Sequence, residues 1–509
     1  MSEATLGPVK SKVELEDPVN DTTPSLTSET RDVQPAPGDT EKSHTSISDI
    51  VDWDGPDDPE NPINLPLARK WLITISLSLT NFTTTFASSI FSTANGQTAA
   101  LFHVSGEVMV LGTSLYLAGF LFGPFIFGPF SELYGRKRPL FFGFIIFAIF
   151  QIPVAVAQNI QTVMVCRFFQ GVFGSAAQAV TGGALADIWN AEQRGFAVPV
   201  FAGSLFGGPI FGPIIGSFIV QSKLGWRWTQ WITMIMAATF GIFAFIAIPE
   251  TYHPVLLAQR AKRLRFQTRN WALHSLSEER EISLKDIGTR YLLRPAQMLV
   301  QEPILFLITI YMGFVFGIIY LNFQAFPISY SEHRHWSAGV SSLPFIAVLL
   351  GALAGCVLVA LTTKSKLAPD PAKGRYQEAR MPLMALGGLG LMIGLFWFAW
   401  TSFPSISPWP QILAGAPIGF GIMLITLQGM NYVIDCYAMY ANSALAANTS
   451  IRYCLAAGFP LFADGMFHNL GVPWATSVLG FIALALLPVP LLFWKYGEKI
   501  RSMSKFVMT

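Results

Sequence analysis

The sequence predicts an all-α membrane protein in which twelve transmembrane helices form two halves of six helices each. Three observations support this prediction: the composition, the spacing of the charged residues and the distribution of basic residues among the loops. Of the 509 residues, 52% are hydrophobic and only 13% are charged. This is too little polar material to cover several water-exposed domains, which excludes a multidomain cytosolic enzyme. A net charge of +2 also argues against nucleic acid as a partner.

Runs without Asp, Glu, Lys or Arg mark the predicted spans, because a helix needs about 20 apolar residues to cross the bilayer hydrocarbon. Six such runs can hold one span each: residues 71–106, 108–131, 139–166, 168–186, 195–222 and 228–249. The second half needs six more, for which four stretches suffice: residues 303–331 and 335–363 with one span each, residues 381–434 with two spans and a loop near residues 404–408, and residues 436–494 with two spans divided near residues 471–473.

These runs divide the chain into five parts. We expect a disordered cytoplasmic tail, a six-helix bundle, a cytoplasmic linker, a second six-helix bundle and a short cytoplasmic tail, over residues 1–70, 71–249, 250–302, 303–495 and 496–509. The first tail is rich in Pro, Ser, Thr and acidic residues and poor in apolar ones, which is typical of disorder. The basic linker is expected to touch anionic headgroups.

The basic residues predict the orientation of the chain. With loops assigned alternately to the two sides, 24 Lys and Arg near the spans fall on the inner side and three on the outer side. The positive-inside rule then places both termini in the cytosol. We expect a multi-pass protein of the plasma membrane, with the vacuolar membrane as the alternative.

Two halves joined by a linker suggest structural repeats with a solute site between them near the midplane of the membrane. A shift of 248 residues superposes Asp187 on Asp435 and Arg194 on Asn442, so both halves carry an acidic residue at the inner end of the fourth span.

The sequence contains no pattern for a metal, a cofactor or hydrolytic chemistry. The four cysteines lie in apolar stretches without metal-ligand spacing. The HExxH, GxSxG and Walker patterns are also missing, so we expect neither an enzyme nor an ATP-driven pump, and no metal or cofactor.

Two glycine-containing motifs carry a family resemblance. Residues 128–138, GPFSELYGRKR, are similar to the G-x-x-x-D-R-x-G-R-K/R loop of the major facilitator superfamily, with Glu132 for the usual Asp and Leu133 for the usual basic residue. Residues 203–217 are similar to the family's antiporter motif, with Ser217 for its last Gly. With smaller matches before span one, after span four and at the end of span six, residues 50–500 resemble the twelve-span drug:proton antiporter branch of fungal type.

The resemblance implies roles for these residues. An inner-gate loop would comprise Gly128, Glu132, Gly135, Arg136, Lys137, Asp187 and Arg194. Its glycines would allow a tight turn and close helix approach, and Glu132 could pair with cations. The alternative is an ordinary basic loop. The antiporter-type motif comprises Gly208, Pro209, Gly212, Pro213 and Gly216. This motif would imply that the protein exports its substrate. The alternative is that the same residues only allow close helix packing and do not affect the direction of transport.

The resemblance thus implies a monomeric, proton-coupled exporter of small organic compounds, such as drugs, toxins or secondary metabolites, that works by alternating access. The alternative is an inward symporter or uniporter of sugars or organic acids. The expected partners are the small-molecule substrate, protons and the lipid bilayer.

Charges within the spans or at their ends are the candidates for proton coupling, namely Arg167, Glu107, Asp435, Asp464 and Arg452. A buried Arg costs about 2.5 to 3.5 kcal/mol at mid-helix, so it should face a cavity or a partner. The alternatives are snorkelling for Arg167, bonding to backbone carbonyls for Arg452 and pairing with a cytoplasmic Arg for Asp435.

Polar and aromatic residues of spans seven and ten are the expected lining of the substrate cavity: Tyr311, Tyr320, Asn322, Gln324, Gln428, Asn431 and Tyr432. Such groups can orient a mostly apolar ligand, but they could equally form interhelical hydrogen bonds. The scarcity of buried carboxylates favours a neutral or amphipathic substrate over a polyamine.

Overall fold

The computed structural model describes residues 49–279, 288–364, 377–437, 440–502 and 504–506, without the side chains of residues 191, 192, 194–196, 290, 363 and 364. Within these ranges the chain is helical. The described β-structure is a single bridge between Ile50 and His274.

The first half contains α1 (Leu67–Ile90), α2 (Asn95–Phe102), α3 (Gly106–Leu121), α4 (Gly123–Leu133), α5 (Lys137–Ala155), α6 (Ile160–Ile188), α7 (Ala191–Gln221) and α8 (Arg227–Ala247). Side-chain caps begin two of these helices, because the first amides of a helix need an acceptor. Ser105 accepts the amide of Val108 at the start of α3, and Asn159 accepts that of Thr162 at the start of α6.

The linker and the second half contain α9 (His253–Thr268), α10 (Arg294–Gln301), α11 (Pro303–Phe326), α12 (Ala338–Ser342), α13 (Phe345–Lys364), α14 (Met381–Trp400), α15 (Pro408–Leu413), α16 (Gly415–Cys436), α17 (Ala441–Leu486) and α18 (Pro488–Arg501). The predicted loop near residues 404–408 lies between α14 and α15, as expected. The predicted division near residues 471–473 is also confirmed, because Gly471 interrupts α17 with non-helical angles, φ 72° and ψ 158°.

Ten segments of the described chain are long and apolar enough to cross a membrane. The last of them extends over Ala441–Arg501 and contains the interruption at Gly471, so it has the length of two spans. Helix α1 is not among the ten, although its 24 residues are long enough. The fold is therefore consistent with twelve spans in two halves of six.

Helix α1 is too polar on average to be recognised as a span by composition. It tolerates this polarity because it turns its hydroxyl groups inward. Most of its Ser and Thr residues are buried, whereas Leu72 and Ile75 are exposed. Most of the hydroxyls bond to carbonyls of their own helix, as in the 2.9 Å bond from Thr74 to the carbonyl of Lys70. This internal bonding keeps polar groups satisfied where water is excluded.

Residues 49–66 correct the prediction that residues 1–70 form a disordered tail, while residues 1–48 lie outside the described part. Asp58 is buried and accepts a 2.5 Å hydrogen bond from Arg260 of α9. Asp54 also pairs with Arg260, and Glu60 pairs with Arg263 at 2.6 Å. The acidic residues that suggested a solvated tail thus bind the basic linker helix. We call residues 49–64 the acidic segment.

The two halves meet along two pairs of helices, α3 with α17 and α7 with α13. Large apolar side chains remain exposed on the outside, for example Phe142 and Ile145 of α5 and Ile246 of α8. An exterior of this kind suits acyl chains rather than water.

Candidate functional site

Four of the charged candidates, Glu132, Arg136, Asp187 and Asp435, lie with Arg380 at one end of the helices, which we call the charged end. In the first half, Arg136 precedes α5 and Asp187 lies in the last turn of α6. The Nε of Arg136 donates a 2.9 Å hydrogen bond to Oδ2 of Asp187, and both side chains are nearly buried. This pair resists separation, since either partner alone would be a buried uncompensated charge.

The second half repeats this arrangement. Arg380 precedes α14, Asp435 lies in the last turn of α16, and the Nε of Arg380 is 2.5 Å from Oδ2 of Asp435. The alternative interpretation of Asp435, a helix-terminal carboxylate paired with an arginine, therefore describes its position here. The matching ion pairs place Asp187 and Asp435 in equivalent positions, as the shift of 248 residues suggests.

Glu250, three residues after the end of α8, caps the start of α5. Its carboxylate accepts the amides of Arg136 at 2.8 Å and Lys137 at 3.2 Å, where the helix dipole favours negative charge. Gly135 is required in this turn: its φ is 87°, and a Cβ there would lie 2.3 Å from Oε2 of Glu250.

Three members of the predicted inner-gate loop need separate comment. A Cβ on Gly128 would meet no atom of another element within 4 Å, so the prediction of close helix approach is wrong for this glycine. Lys137 donates a 3.0 Å hydrogen bond to the carbonyl of Phe245 near the end of α8. The side chain of Arg194 lies outside the described residues.

A hydrogen bond joins the two halves at the charged end. Oε1 of Glu132, in α4, accepts a 2.8 Å bond from Nδ2 of Asn442 at the start of α17. The hydroxyl of Tyr291, just before α10, also donates to Glu132. Both donors are neutral groups from the part of the chain that follows the linker helix.

Two further hydrogen bonds join the halves deeper in the bundle. The hydroxyl groups of Ser88 in α1 and Tyr320 in α11 are 3.0 Å apart. Tyr453 of α17 donates to Oε1 of Gln178 in α6, and its ring lies 5.0 Å from that of Phe120. Both contacts are between uncharged groups.

A narrow cavity lies beside these contacts. Its volume is about 10 Å³, enough for about one water molecule. Both halves supply its walls, which consist of Phe206, Ile210, Ile319, Asn322, Phe345, Val348, Ala352, Gly419 and Ile422. The cavity is too small for an organic solute, so the two halves are closed around it in this arrangement.

The predicted lining residues separate into groups. Asn322 lines the cavity, and Tyr320 bridges the halves beside it. Tyr311 is directed into the second half, since a Cβ on Gly388 of α14 would lie 2.5 Å from its hydroxyl. Tyr432 also faces inward, with its ring stacked at 6.1 Å on Phe493 of α18. The remaining three lie away from the cavity walls, one buried and two half-buried: Gln428, Gln324 and Asn431.

The antiporter-type motif packs α7 against α1. A Cβ on Gly208, Gly212 or Gly216 would lie 2.1, 1.9 or 2.6 Å from the hydroxyl oxygens of Thr85, Ser89 and Thr93, respectively. Pro209 and Pro213 are accommodated inside the same helix. The three glycines of the motif thus pack within the first half, as the packing interpretation expects.

Arg167 is fully buried and its donors are occupied. Its guanidinium donates to the carbonyls of Gly112 at 3.0 Å, Ala87 at 2.9 Å and Ser88 at 3.4 Å. Its Nη1 also bonds to Gln170. Snorkelling is therefore wrong for Arg167, which instead ties α6 to α1 and α3.

Arg452 is equally buried but bonded differently. Its Nη1 contacts the sulfur of Met430 at 4.0 Å, while Nε and Nη2 have no hydrogen-bond partner among the described residues. The guanidinium lies 4.9 Å from the ring centroid of Phe316 and 5.5 Å from that of Tyr453. The expected bonding to backbone carbonyls is not found for Arg452; Arg167 shows it instead.

The remaining acidic candidates lie near the opposite end of the bundle. Glu107 is exposed in the first turn of α3. The side chain of Asp464 is 42% exposed and lies 3.4 Å from His468, one turn along α17. Neither carboxylate is enclosed by protein in the arrangement described.

Sequence reasoning missed several residues that the fold brings to the site. Ser88, Gln178 and Phe316 carry no charge and belong to no motif, so their spacing offered no signal. Glu250 was seen only as part of the match at the end of span six. Glu302, the residue before α11, was also missed. It is buried and accepts a 2.5 Å hydrogen bond from Ser504.

Comparison with known proteins identifies the family. The sequence profile of the Major Facilitator Superfamily matches residues 77–460, well over half of the chain. The chain belongs to the major facilitator superfamily. It is accordingly a multi-pass membrane transporter and not an enzyme.

Several similar members of the superfamily are fungal. The citrinin biosynthesis cluster MFS transporter mrr1 of Monascus ruber is 55% identical over 459 residues, which cover 90% of this chain and 92% of the relative. The cercosporin MFS transporter CTB4 of Cercospora nicotianae is 49% identical over 458 residues, with 90% of both chains covered.

Solved structures of the superfamily have the same fold. The proton:xylose symporter XylE superposes with a TM-score of 0.60, over 86% of this chain and 99% of that chain. Its sequence identity is 15%, so this likeness concerns the architecture alone.

Proposed function

We propose that this transporter exports small organic compounds of the secondary-metabolite type, in exchange for protons, by alternating access. The observation that carries the proposal is the way the halves touch. Hydrogen bonds of uncharged donors join them at three levels, through Asn442, Tyr320 and Tyr453, around a cavity with walls from both halves. The similar fungal proteins named for metabolite clusters support the choice of substrate class.

Alternating access follows from the relative strength of these contacts. The ion pairs of Arg136 with Asp187 and of Arg380 with Asp435 each lie within one half. Breaking a buried ion pair costs about 3 to 5 kcal/mol, whereas an ordinary hydrogen bond contributes about 1 kcal/mol. Opening therefore separates the halves at the Glu132–Asn442 bond before it separates either ion pair.

The substrate surface is apolar with few polar groups. Phe206, Phe345 and Ile422 form walls of the cavity, and Asn322 adds an amide. Such a surface suits a largely apolar compound oriented by one or two hydrogen bonds. We assign substrate contact to Asn322 and Tyr320, and leave out Tyr311 and Tyr432 because they face α14 and α18.

We infer that Asp435 is the coupling carboxylate. It is largely enclosed, with 14% of its side chain exposed, and it lies on α16, which also supplies Gly419 and Ile422 to the cavity. Protonation would remove the negative charge that holds Arg380, and so would loosen the start of α14 from α16. Glu107 and Asp464 are more exposed and are the less suitable candidates.

We place the transporter in the plasma membrane as a monomer, with the charged end and both termini in the cytosol. The basic loops at this end support the orientation. Fluorescence microscopy of a tagged chain tests the membrane. Protease accessibility of tags at both termini, before and after permeabilisation, tests the orientation.

The function is tested by accumulation of a panel of labelled metabolite-like compounds in cells with and without the protein. Lower accumulation in expressing cells, abolished by a protonophore, is the expected result. Higher accumulation in expressing cells would overturn export and indicate uptake. Export that persists with a protonophore would overturn proton coupling only.

The coupling residue is tested with a matched pair of variants. Asp435→Asn should retain binding of a transported compound but lose its proton-driven export. Asp464→Asn, which changes a half-exposed carboxylate of α17, should export normally. Normal export by Asp435→Asn would contradict the assignment.

A further inference from the structure

The two arginines buried within the spans differ in one respect that concerns ligands. The carbonyls of Ala87, Ser88 and Gly112 occupy the donors of Arg167. Arg452 has the same full burial, yet its Nε and Nη2 have no partner among the described residues. The hydrogen-bond donors of Arg167 are therefore all used within the protein, whereas two donors of Arg452 are available to a ligand.

The surroundings of Arg452 do not neutralise its charge. Its polar neighbours in the described structure are the phenol groups of Tyr320 and Tyr453. The phenol of Tyr453 interacts with the guanidinium by a hydrogen bond while its hydroxyl donates to Gln178, and the hydroxyl of Tyr320 is bonded to Ser88, but neither phenol carries a negative charge. Rings attract a cation only weakly compared with an anion at hydrogen-bond distance. A buried cation whose described neighbours carry no negative charge is stabilised by an anionic partner.

Arg452 is separated from the cavity by a single aromatic side chain. Phe316 lies 4.9 Å from the guanidinium, and its ring is 6.1 Å from that of Phe206, a wall of the cavity. Tyr320 and Tyr453 also contact Phe316, at 5.5 and 5.3 Å between ring centroids. A compound that displaced the ring of Phe316 would reach Arg452 between aromatic faces, which suit a flat ring system.

We propose that Arg452 is the anion-binding subsite of the transporter, and that it receives the carboxylate or acidic phenol of a flat aromatic substrate. Nε and Nη2 would each donate to an oxygen of the anion, the two-point geometry that suits a carboxylate. This inference rests on the proposed export function and narrows its substrate class from amphipathic compounds to aromatic acids.

The test compares two probes that have the same shape and differ in charge, naphthoate and naphthamide. Binding of each radiolabelled probe is measured on the full-length protein in lipid nanodiscs at neutral pH. We expect the wild-type protein to bind naphthoate about tenfold more tightly than naphthamide or better, because only the anion makes charge-assisted hydrogen bonds.

Variants at Arg452 test whether this residue causes the preference for naphthoate over naphthamide. Arg452→Gln should abolish the preference for naphthoate and leave the affinity for naphthamide unchanged, and Arg452→Lys should retain part of the preference. Equal binding of the two probes, binding of neither, or a preference that survives Arg452→Gln would overturn the proposal. If Arg452→Gln fails gel filtration, the wild-type preference and the Arg452→Lys variant decide.

A second measurement separates this inference from the proposed function. Protonophore-sensitive export of naphthoate should be present in cells with the wild-type protein and should fall, in Arg452→Gln cells, to the level of cells without the protein. Unimpaired naphthoate export by this variant would overturn the subsite alone. Failure of the wild-type protein to export any compound would overturn the proposed function instead.

Discussion

Nδ2 of Asn442 lies 2.8 Å from Oε1 of Glu132, and this hydrogen bond joins α17 to α4 across the two halves of the transporter. Its donor is a neutral amide, so this contact is not itself an ion pair. A single added negative charge at this position therefore has a predictable effect on the closed charged end.

Asn442→Asp should open the charged end, because two carboxylates at hydrogen-bond distance repel each other. The measurement is the rate at which a membrane-impermeant maleimide modifies a reporter cysteine at Gln178, in a background without the native cysteines. We expect modification to be several-fold faster in Asn442→Asp. Asn442→Gln keeps an amide donor and serves as the control; equal rates in both would contradict a gating role.

Replacing the two buried arginines should affect stability unequally. Arg167→Gln leaves three carbonyls of α1 and α3 without their cationic donor and should lower the free energy of unfolding by about 3 kcal/mol. Arg452→Gln removes a cation that the described residues leave unpaired, and should cost little. Thermal unfolding in detergent, followed by gel filtration, measures the stability of both variants. A lower unfolding temperature for Arg452→Gln than for Arg167→Gln would contradict the assignments.

Gly212→Ala should separate α7 from α1. The added methyl would lie 1.9 Å from Oγ of Ser89 and 2.9 Å from the backbone nitrogen of Ile90, so backbone as well as side chain must shift. We expect a loss of about 1 to 3 kcal/mol, typical of overpacking. Gly203→Ala, on the same helix with no atom of another element within 4 Å, is the matched control and should melt like the wild type.

Asp58→Asn should detach the acidic segment from α9. Asp58 binds Arg260, whereas the neighbouring Asp57 is exposed and provides the control substitution Asp57→Asn. Spin labels at residues 52 and 262 report the distance between the segment and the helix. We expect a broadened distance distribution for Asp58→Asn only; identical distributions for both variants would contradict the role of Asp58.

The same contact should depend on pH in a defined window. Hydrogen bonds from the amide of Asp54 and from Arg260 lower the pKa of Asp58 from 3.8 to about 2. A lowered pKa means that the contribution of Asp58 is fully present above pH about 4 and is lost as the pH falls through about 2. The wild-type distance should therefore stay narrow at pH 5 and broaden only near pH 2; broadening already at pH 5 would exclude Asp58 as the cause.

Composition and charge spacing were sufficient to predict the helical architecture, because few backbone structures are stable in the hydrocarbon core of a bilayer. Gly471 interrupts α17 where the sequence predicts the division between two spans, and residues 401–407 separate α14 from α15. Backbone polar groups must be satisfied inside the bilayer, so the gaps between charges predict the helices.

The acidic segment shows where composition alone misleads. In the sequence, Asp54, Asp58 and Glu60 are typical of a solvated tail. In the structure they form ion pairs with basic residues of α9. Their partners are about 200 residues away in sequence, and only the folded chain brings opposite charges together over that separation.

By itself the sequence predicted a membrane protein of two six-helix halves, loop and glycine motifs similar to those of its family, and positions within spans for Arg167 and Arg452. Those features follow from local composition and spacing. The tertiary structure alone decided that Arg167 is bonded to the carbonyls of Ala87 and Gly112 while two donors of Arg452 stay unpaired. The physical reason is that the partners of a buried guanidinium come from neighbouring helices, whose rotation and depth depend on packing that no local pattern encodes.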